Sequence, residues 1–296
     1  MARKDENQGH ISRPEVASQG EVARAVTSFL TLRLFRKRDI WVLAVGLVLL
    51  QIIPALLINR LMFRPVLGGY AWTDGGIVDV GTNGVKVATR QIGSATAPRA
   101  IIYCHGNAED VTAVDRFSGV AAQGSLVAAV EYPGYGLSDG SPTEKGCCDN
   151  ARRLYDWLVE TRGFAATNIF VVGYSIGTGV AVDLASTRQV AGLWLEAGFL
   201  SIPRVITRKR LLVIDPFQSE TKIGRVNCPV FMLHGTSDWI VPYSQGRALY
   251  DLAPEPKRFF TVAGAGHFDF VTMIGEDRYE DMLGRFVAGG LDAIGK

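Results

Sequence analysis

The chain has few of the residues from which metal centres and disulfide frameworks are built. Its 296 residues include only four cysteines and four histidines, and the cysteines show neither the spacing of zinc ligands nor that of a disulfide framework. Cys147 and Cys148 are adjacent, which is a poor geometry for a bridge between them. The sequence therefore predicts a protein that requires no metal ion and no cofactor.

An excess of charge of either sign is also missing. The formal net charge is +2, which argues against a nucleic-acid-binding footprint. The sequence shows no internal repeats and no glycine-rich phosphate loop with a lysine. With 48% hydrophobic residues, the chain is long enough to bury one sizeable core, and one domain with an appendage is the natural partition.

One long apolar run lies near the amino terminus. Residues 40–58 carry no formal charge, and only Gln51 and Pro54 interrupt them. At 1.5 Å per residue, these roughly 19 residues span about 28 Å, close to the thickness of a hydrocarbon core. The run ends without a small-residue cleavage site and shows no polar face, which disfavours a signal peptide or a core helix. We therefore predict a single transmembrane anchor over 39–60, with membrane lipid as a partner.

The charges that flank this run predict its orientation. Residues 1–38 form a polar and basic tail whose Lys and Arg side chains outnumber those just after the run. The positive-inside rule then places the amino terminus in the cytoplasm and the domain over 63–296 on the non-cytoplasmic side, in the periplasm if the protein is bacterial.

Short apolar segments alternate with helical stretches through the rest of the chain. Two of them, 77–80 and 85–89, flank Gly-Thr-Asn-Gly and predict an antiparallel hairpin at a sheet edge. The others lie at 100–104, 126–132, 169–172, 192–196, 229–233 and 258–262. Continuous apolar strands separated by helices predict an α/β fold with a mostly parallel, doubly wound sheet, in which ligands bind at the carboxyl ends of the strands.

A candidate nucleophile follows the strand at 169–172. The sequence Gly-Tyr-Ser-Ile-Gly at 173–177 lies between that strand and a helix start rich in small residues. In this context a serine is held at a strained turn with its hydroxyl exposed above the sheet. Ser175 is therefore our candidate, although the motif alone also fits a plain tight turn.

A serine hydroxyl needs a base that is itself oriented by a carboxylate. Asp238 follows the strand at 229–233, and His267 lies in a glycine-rich loop after the strand at 258–262. The order serine, acid, histidine is that of the nucleophile-elbow hydrolases. Either residue alone would more often be a solvated loop residue, but the three together predict a catalytic triad.

Acyl transfer also needs donors for an oxyanion. We predict the backbone N–H groups of Ile176, after the nucleophile, and of Asn107, after the strand at 100–104. His105 and His234 also lie at strand ends, and we interpret them as residues that brace loops by hydrogen bonding.

These segments, together with Tyr-Cys-His-Gly-Asn-Ala at 103–108 and Glu-Tyr-Pro-Gly-Tyr-Gly-Leu-Ser-Asp-Gly at 131–140, resemble the α/β-hydrolase superfamily. More narrowly, they resemble its Bem46-like branch and the membrane-associated depalmitoylating α/β-hydrolase-domain proteins. The resemblance covers about 63–287. It departs at Glu131, where the family tends to carry Asp, and at Pro133. It implies an α/β-hydrolase fold, with the family's lid insertion falling at 199–227, where this chain has room only for a short one.

The sequence thus predicts a membrane-anchored serine hydrolase that cleaves acyl esters or thioesters, and the resemblance makes long acyl chains plausible. Two alternatives stay open. One is a noncatalytic membrane-tethered interaction protein of the same fold, and the other is a serine peptidase that uses the same triad. The basic residues of the lid, such as Arg204, fit either a solvated face or attraction to an acidic headgroup.

Overall fold

The computed structural model describes residues 37–66, 69–207 and 215–294. The chain divides into two compact units, 1–52 and 53–296. The predicted tail at 1–38 lies outside the described residues except for its last two. A helix, α1, runs from Lys37–Met62 through the segment for which the sequence predicts an anchor.

The structure does not support the predicted transmembrane helix. Within the described part of the chain, no helix has the length and apolarity needed to cross a membrane. Within α1, the side chains at 37, 38, 47, 51–59 and 61 are outside the described set.

An eight-stranded sheet forms the centre of the larger unit. Its strands are β1 (Ile77–Asp79), β2 (Ala88–Ile92), β3 (Arg99–Cys104), β4 (Ser125–Val130), β5 (Ile169–Tyr174), β6 (Gly192–Glu196), β7 (Val230–Gly235) and β8 (Lys257–Val262). The spatial order is β1-β2-β4-β3-β5-β6-β7-β8. β1 and β2 pair antiparallel with each other, and β2 pairs antiparallel with β4. From β4 to β8 every pairing is parallel. The predicted α/β-hydrolase architecture with its mostly parallel sheet is confirmed.

Helices cover both faces of this sheet. They are α2 (Ser118–Ala122), α3 (Glu144–Glu160), α4 (Ile176–Thr187), α5 (Ile202–Thr207), α6 (Ser219–Lys222), α7 (Tyr243–Leu252), α8 (Phe270–Ile274) and α9 (Glu276–Gly289), with short 3₁₀ turns at Val111–Phe117, Ala166–Asn168, Ile223–Arg225 and Leu291–Ile294.

Two hydrophobic cores follow from this layering, because successive strand residues point to opposite faces. In β3, Ala100 and Ile102 pack into the core that contains α3, α4 and α7. The alternate residues Ile101 and Tyr103 pack into the core that contains α2 and α9. Burial on both faces explains why the central strands are apolar at nearly every position.

The edge hairpin is present, but its second strand begins later than the sequence predicts. The Asp79 carboxylate accepts hydrogen bonds from the backbone N–H groups of Gly81, at 2.8 Å, and of Val87, at 2.9 Å. The Asp79 side chain thus bonds two backbone N–H groups that would otherwise be available for hydrogen bonds between strands. Regular pairing of β2 with β1 therefore starts at Ala88.

The short lid predicted at 199–227 contains α5, α6 and a 3₁₀ turn in its described part. Arg208, Lys209 and Arg210, which give the lid much of its basic character, lie outside the described residues. Arg204 forms an ion pair with Glu220, with 2.5 Å between its Nη1 and a carboxylate oxygen. At this position a partner within the lid itself balances the positive charge.

Candidate active site

The candidate nucleophile lies at a sharp turn between β5 and α4. Ser175 has φ 53° and ψ −121°, a left-handed conformation that a non-glycine residue adopts only under constraint. Gly173 and Gly177 make the turn possible. A Cβ on Gly177 would lie 2.0 Å from the carbonyl oxygen of Cys104, and one on Gly173 would lie 2.7 Å from the Cβ of Ala181. The first turn of α4 therefore packs directly on the end of β3.

The structure brings the predicted acid and base to this serine. His267 Nε2 lies 2.9 Å from Ser175 Oγ, and His267 Nδ1 lies 2.7 Å from Asp238 Oδ2. Asp238 and His267 are both buried, whereas Ser175 is partly exposed. The three residues are far apart in sequence but form one hydrogen-bonded array at the carboxyl end of the sheet.

The hydrogen-bond partners assign the protons of this array. Burial by itself would raise the pKa of Asp238, but hydrogen bonds from His234, His267 and the Val241 backbone together hold that pKa well below its usual value. The carboxylate is therefore ionised and accepts a hydrogen bond from the N–H at His267 Nδ1. His267 Nε2 is then free to accept the hydroxyl proton of Ser175, as general-base chemistry requires.

The two predicted oxyanion donors lie on either side of the close contact between α4 and β3. Within the described residues, neither the backbone N–H of Ile176 nor that of Asn107 donates to another protein atom. The N–H of Ile176 also belongs to the first turn of the 12-residue helix α4, where the helix dipole favours negative charge.

Glu109 supports the loop that carries Asn107, and the sequence reasoning did not single it out. Its Oε2 accepts hydrogen bonds from the backbone N–H of Gly106, at 2.7 Å, and from the hydroxyl of Tyr103, at 2.8 Å. The bond to Gly106 fixes the residue that precedes the peptide carrying the Asn107 N–H. The signal available in the sequence was only a carboxylate two residues after the candidate donor.

The two other strand-end histidines brace loops, as predicted. His105 Nδ1 donates to the carbonyl of Gly106 at 2.8 Å, and its Nε2 lies 3.0 Å from a carboxylate oxygen of Glu131. Burial lowers the pKa of His105, but the hydrogen bond and charge of Glu131, the bond to the Gly106 carbonyl and the charge of Glu109 together outweigh burial, so the pKa is raised. His234 Nε2 donates to the carbonyl of Val241 at 2.9 Å, which holds the loop of Asp238.

A second buried carboxylate lies beside the nucleophile turn. Glu196, the last residue of β6, accepts hydrogen bonds from Arg116, from the Tyr279 hydroxyl and from the Trp194 indole. Its backbone carbonyl accepts the N–H of Ser175 at 2.9 Å. Because Arg116 and Tyr279 are distant from Glu196 in sequence, periodicity could not reveal the network.

The described ranges contain no group of three His, Cys, Asp or Glu residues that could hold a metal ion. Two cavities of about 420 and 430 Å³ lie at the opposite end of the sheet, near the end of α4 and the start of β7. Neither is lined by Ser175, Asp238 or His267, so the chemistry of this array does not depend on them.

A strained serine between β5 and α4, with an acid after β7 and a histidine after β8, is the arrangement of an α/β hydrolase. Solved structures agree on the fold. An esterase from Pyrococcus furiosus superposes with a TM-score of 0.62 at 16% identity, over 76% of this chain and 98% of that one. A monoacylglycerol lipase from Paleococcus ferrophilus gives 0.56 at 19% identity, over 69% and 99%.

Sequence comparison shows to which family of α/β hydrolases the chain is related. The chain is 32% identical to human α/β hydrolase domain-containing protein 17B over 199 residues, which cover 66% of this chain and 68% of that protein. It is 35% identical to the mouse 17C protein over 174 residues, and there it spans about half of the relative, 54%. No family model matches the chain. The chain belongs to the α/β-hydrolase family that includes α/β hydrolase domain-containing protein 17.

The lowered pKa of Asp238 predicts a pH-dependent stability. In the unfolded chain an aspartate has a pKa of about 3.9, so a lower folded value stabilises the protein above that pH, and the contribution is lost as pH falls through the folded value. Denaturant unfolding of wild type and Asp238→Asn should show the largest wild-type advantage above about pH 5, and the difference should shrink towards about pH 3. An advantage that stays constant or grows on acidification would contradict the ionised, hydrogen-bonded carboxylate.

Proposed function

We propose that this protein is a serine hydrolase that cleaves acyl esters or thioesters through an acyl-enzyme on Ser175. The observation that carries the proposal is the continuous pair of hydrogen bonds from Ser175 to His267 and from His267 to Asp238, at 2.9 and 2.7 Å. Membership of a hydrolase family and the structural similarity to esterases support the same reaction class.

In the first half-reaction, Ser175 Oγ attacks the acyl carbon while His267 Nε2 takes the hydroxyl proton. Asp238 stabilises the imidazolium that forms and keeps its ring oriented. The N–H groups of Ile176 and Asn107 receive the oxyanion of the tetrahedral intermediate. When this collapses, the bond to the leaving alcohol or thiol breaks, His267 returns the proton to that group, and the acyl group stays on Ser175.

In the second half-reaction a water molecule replaces the leaving group. His267 removes its proton as the water oxygen attacks the acyl carbon, and the same two N–H groups hold the second oxyanion. The acyl–serine bond then breaks and the proton moves from His267 to Ser175 Oγ, which releases a carboxylic acid. The chain's own residues carry out every proton transfer.

Two exposed aromatic side chains favour an apolar acyl substrate. Trp239 directly follows the acid Asp238 and is 80% exposed, and Phe268 directly follows His267 and is 72% exposed. The Phe268 ring lies 5.1 Å from the His267 ring, edge to face. Large apolar surfaces beside a reacting group stabilise apolar substrate segments by burial. The short lid, by contrast, offers little material for the groove that an extended peptide would need.

The first prediction of this proposal concerns the nucleophile. Ser175→Ala and His267→Ala should each lose labelling by a fluorophosphonate probe, because the probe reacts only with an activated hydroxyl. The control Ser244→Ala removes an exposed serine on α7 and should label like wild type. Undiminished labelling of folded Ser175→Ala would show that another residue reacts, and an unreactive wild type would favour a noncatalytic role.

The second concerns substrate class. Acyl esters and thioesters should turn over with kcat/KM at least 100-fold above matched peptide amides, because an amine leaves only after protonation. Trp239→Ala and Phe268→Ala should each raise KM for long-chain esters several-fold and leave acetyl esters nearly unaffected, since a short acyl group does not reach an apolar rim. Efficient peptidase activity with negligible esterase activity would favour the serine peptidase instead.

Membrane association is the last part of the proposal. Several large apolar side chains of α1 are about half exposed or more, namely Ile40, Trp41, Val42, Leu43, Val45, Val48, Leu49 and Leu50. An apolar surface of this size is costly in water, and acyl chains of a lipid would cover it. The side of the membrane stays a prediction, with the hydrolase unit non-cytoplasmic, and protease added outside spheroplasts tests it.

A wash with high salt distinguishes attachment through apolar contact from attachment through ionic attraction to charged headgroups. The wild-type chain should stay in the membrane pellet, because apolar contact is not screened by ions. Leu43→Glu combined with Leu49→Glu should move it to the supernatant, whereas replacing Lys37 and Arg38 by Gln should not. Release of the wild type by salt alone would contradict attachment through the apolar side chains of α1.

A further inference from the structure

The side chain of Asn107 makes three hydrogen bonds, none of them to Ser175, Asp238 or His267. Its Nδ2 donates to the carbonyl of Met62 at 2.6 Å. Its Oδ1 accepts from the backbone N–H of Arg64 at 2.9 Å and from the hydroxyl of Tyr135 at 2.8 Å. The amide thus bonds Tyr135 and, through both its Nδ2 and its Oδ1, the segment 62–64, which ends α1 and enters the hydrolase unit.

This segment is itself firmly held. Met62 and Phe63 are buried in the core that contains α3 and α4. The Phe63 ring packs edge to face on Tyr135, at 6.4 Å between centroids, and on Phe217, at 6.2 Å. The N–H of Arg64 is shared, because it also donates to the hydroxyl oxygen of Tyr135, at 3.1 Å. Segment 62–64, Tyr135 and Asn107 therefore form one connected unit, which we call the 62–64 latch.

The other side of the same loop is fixed by Glu109, whose carboxylate accepts the N–H of Gly106. The peptide between Gly106 and Asn107 is therefore held from both ends, by Glu109 before it and by the latch after it. The N–H of this peptide is the second proposed oxyanion donor. A donor is effective only when it points at the developing charge before the reaction begins.

We propose that the 62–64 latch positions the Asn107 N–H for catalysis, so that the chain entering the hydrolase unit forms part of the structure of its active site. Asn107 then has two roles. Its side chain positions the loop, and its backbone N–H donates to the oxyanion. The expected change in kcat rests on the proposed function. The hydrogen bonds that join 62–64 to the loop of Asn107 belong to the fold and do not depend on that function.

The bonding pattern requires asparagine. The carbonyl of Met62 needs a donor, and the N–H of Arg64 and the hydroxyl of Tyr135 need an acceptor. A primary amide of this length supplies both. Aspartate would keep the acceptor and place a second oxygen against the carbonyl of Met62, and alanine would remove all three bonds while keeping the backbone N–H.

The test compares full-length variants at a temperature where circular dichroism shows each to be folded. Asn107→Ala should lower kcat for a p-nitrophenyl ester at least tenfold with little change in KM, because loss of one oxyanion donor costs about 10²- to 10³-fold. Tyr135→Phe, which removes one hydroxyl, should lower kcat several-fold. Arg64→Ala keeps the backbone N–H of residue 64 and should have the kcat of the wild type. Arg64→Pro removes that N–H and should lower kcat.

Hydrogen–deuterium exchange supplies a readout that does not depend on activity. The peptide covering 103–108 should exchange faster in Asn107→Ala and Arg64→Pro than in wild type and Arg64→Ala. Wild-type kcat together with wild-type exchange in folded Asn107→Ala or Tyr135→Phe would overturn the latch. Faster exchange in a protein whose wild type hydrolyses no ester would instead uphold the latch and reject the proposed function.

Discussion

The close contact between the first turn of α4 and the end of β3 is the constraint on which the candidate site depends. With only hydrogen at Gly177, the helix backbone approaches the carbonyls of Cys104 and His105 to a distance that no side chain would allow. This contact brings the N–H of Ile176 near the loop of Asn107 and holds Ser175 in its left-handed conformation. The strain at Ser175 persists because the β5 ladder on one side and the helix on the other fix the backbone.

Buried charge lies near this contact, and the buried carboxylates of Asp238 and Glu131 each have several donors. Asp238 accepts from His267 and from two backbone N–H groups. Glu131 accepts from His105, the hydroxyl of Tyr70 and the N–H of Val111. Since an unpaired buried carboxylate would be strongly destabilising, these networks select one geometry for the loops at the carboxyl edge. The Tyr174 hydroxyl adds a bond to the backbone carbonyl of His267 at 3.0 Å, which places the base above the nucleophile turn.

The sequence predicts the features of this protein that are local or periodic. Apolar runs located the parallel strands because both faces of the sheet are covered, and the glycines around Ser175 located the turn. The start of β2 could not be found in this way, because the Asp79 side chain rather than an apolar pattern decides where pairing begins. The anchor predicted at 39–60 came from hydropathy alone, and among the described residues no helix meets the length and apolarity of a membrane span.

Outside the triad, contacts between distant residues could not be predicted. The bonds of Asn107 to Met62 and Arg64 join positions more than 40 residues apart, and those of Glu196 to Arg116 and Tyr279 join positions 80 and 83 apart. Such partners leave no period in a single sequence. The order and position of the motifs identified the candidate catalytic residues. Only the fold shows which other side chains hold those residues in place.

The central claim is that Ser175 carries the acyl group between the two half-reactions. Rapid acid quenching during turnover of a long-chain acyl thioester, followed by peptide mass mapping, tests it most directly. The account predicts an acyl adduct on the peptide that contains Ser175, formed as fast as the thiol is released and lost at the steady-state rate. An adduct on another residue, or thiol release with no covalent intermediate under conditions where deacylation is slow, would contradict it.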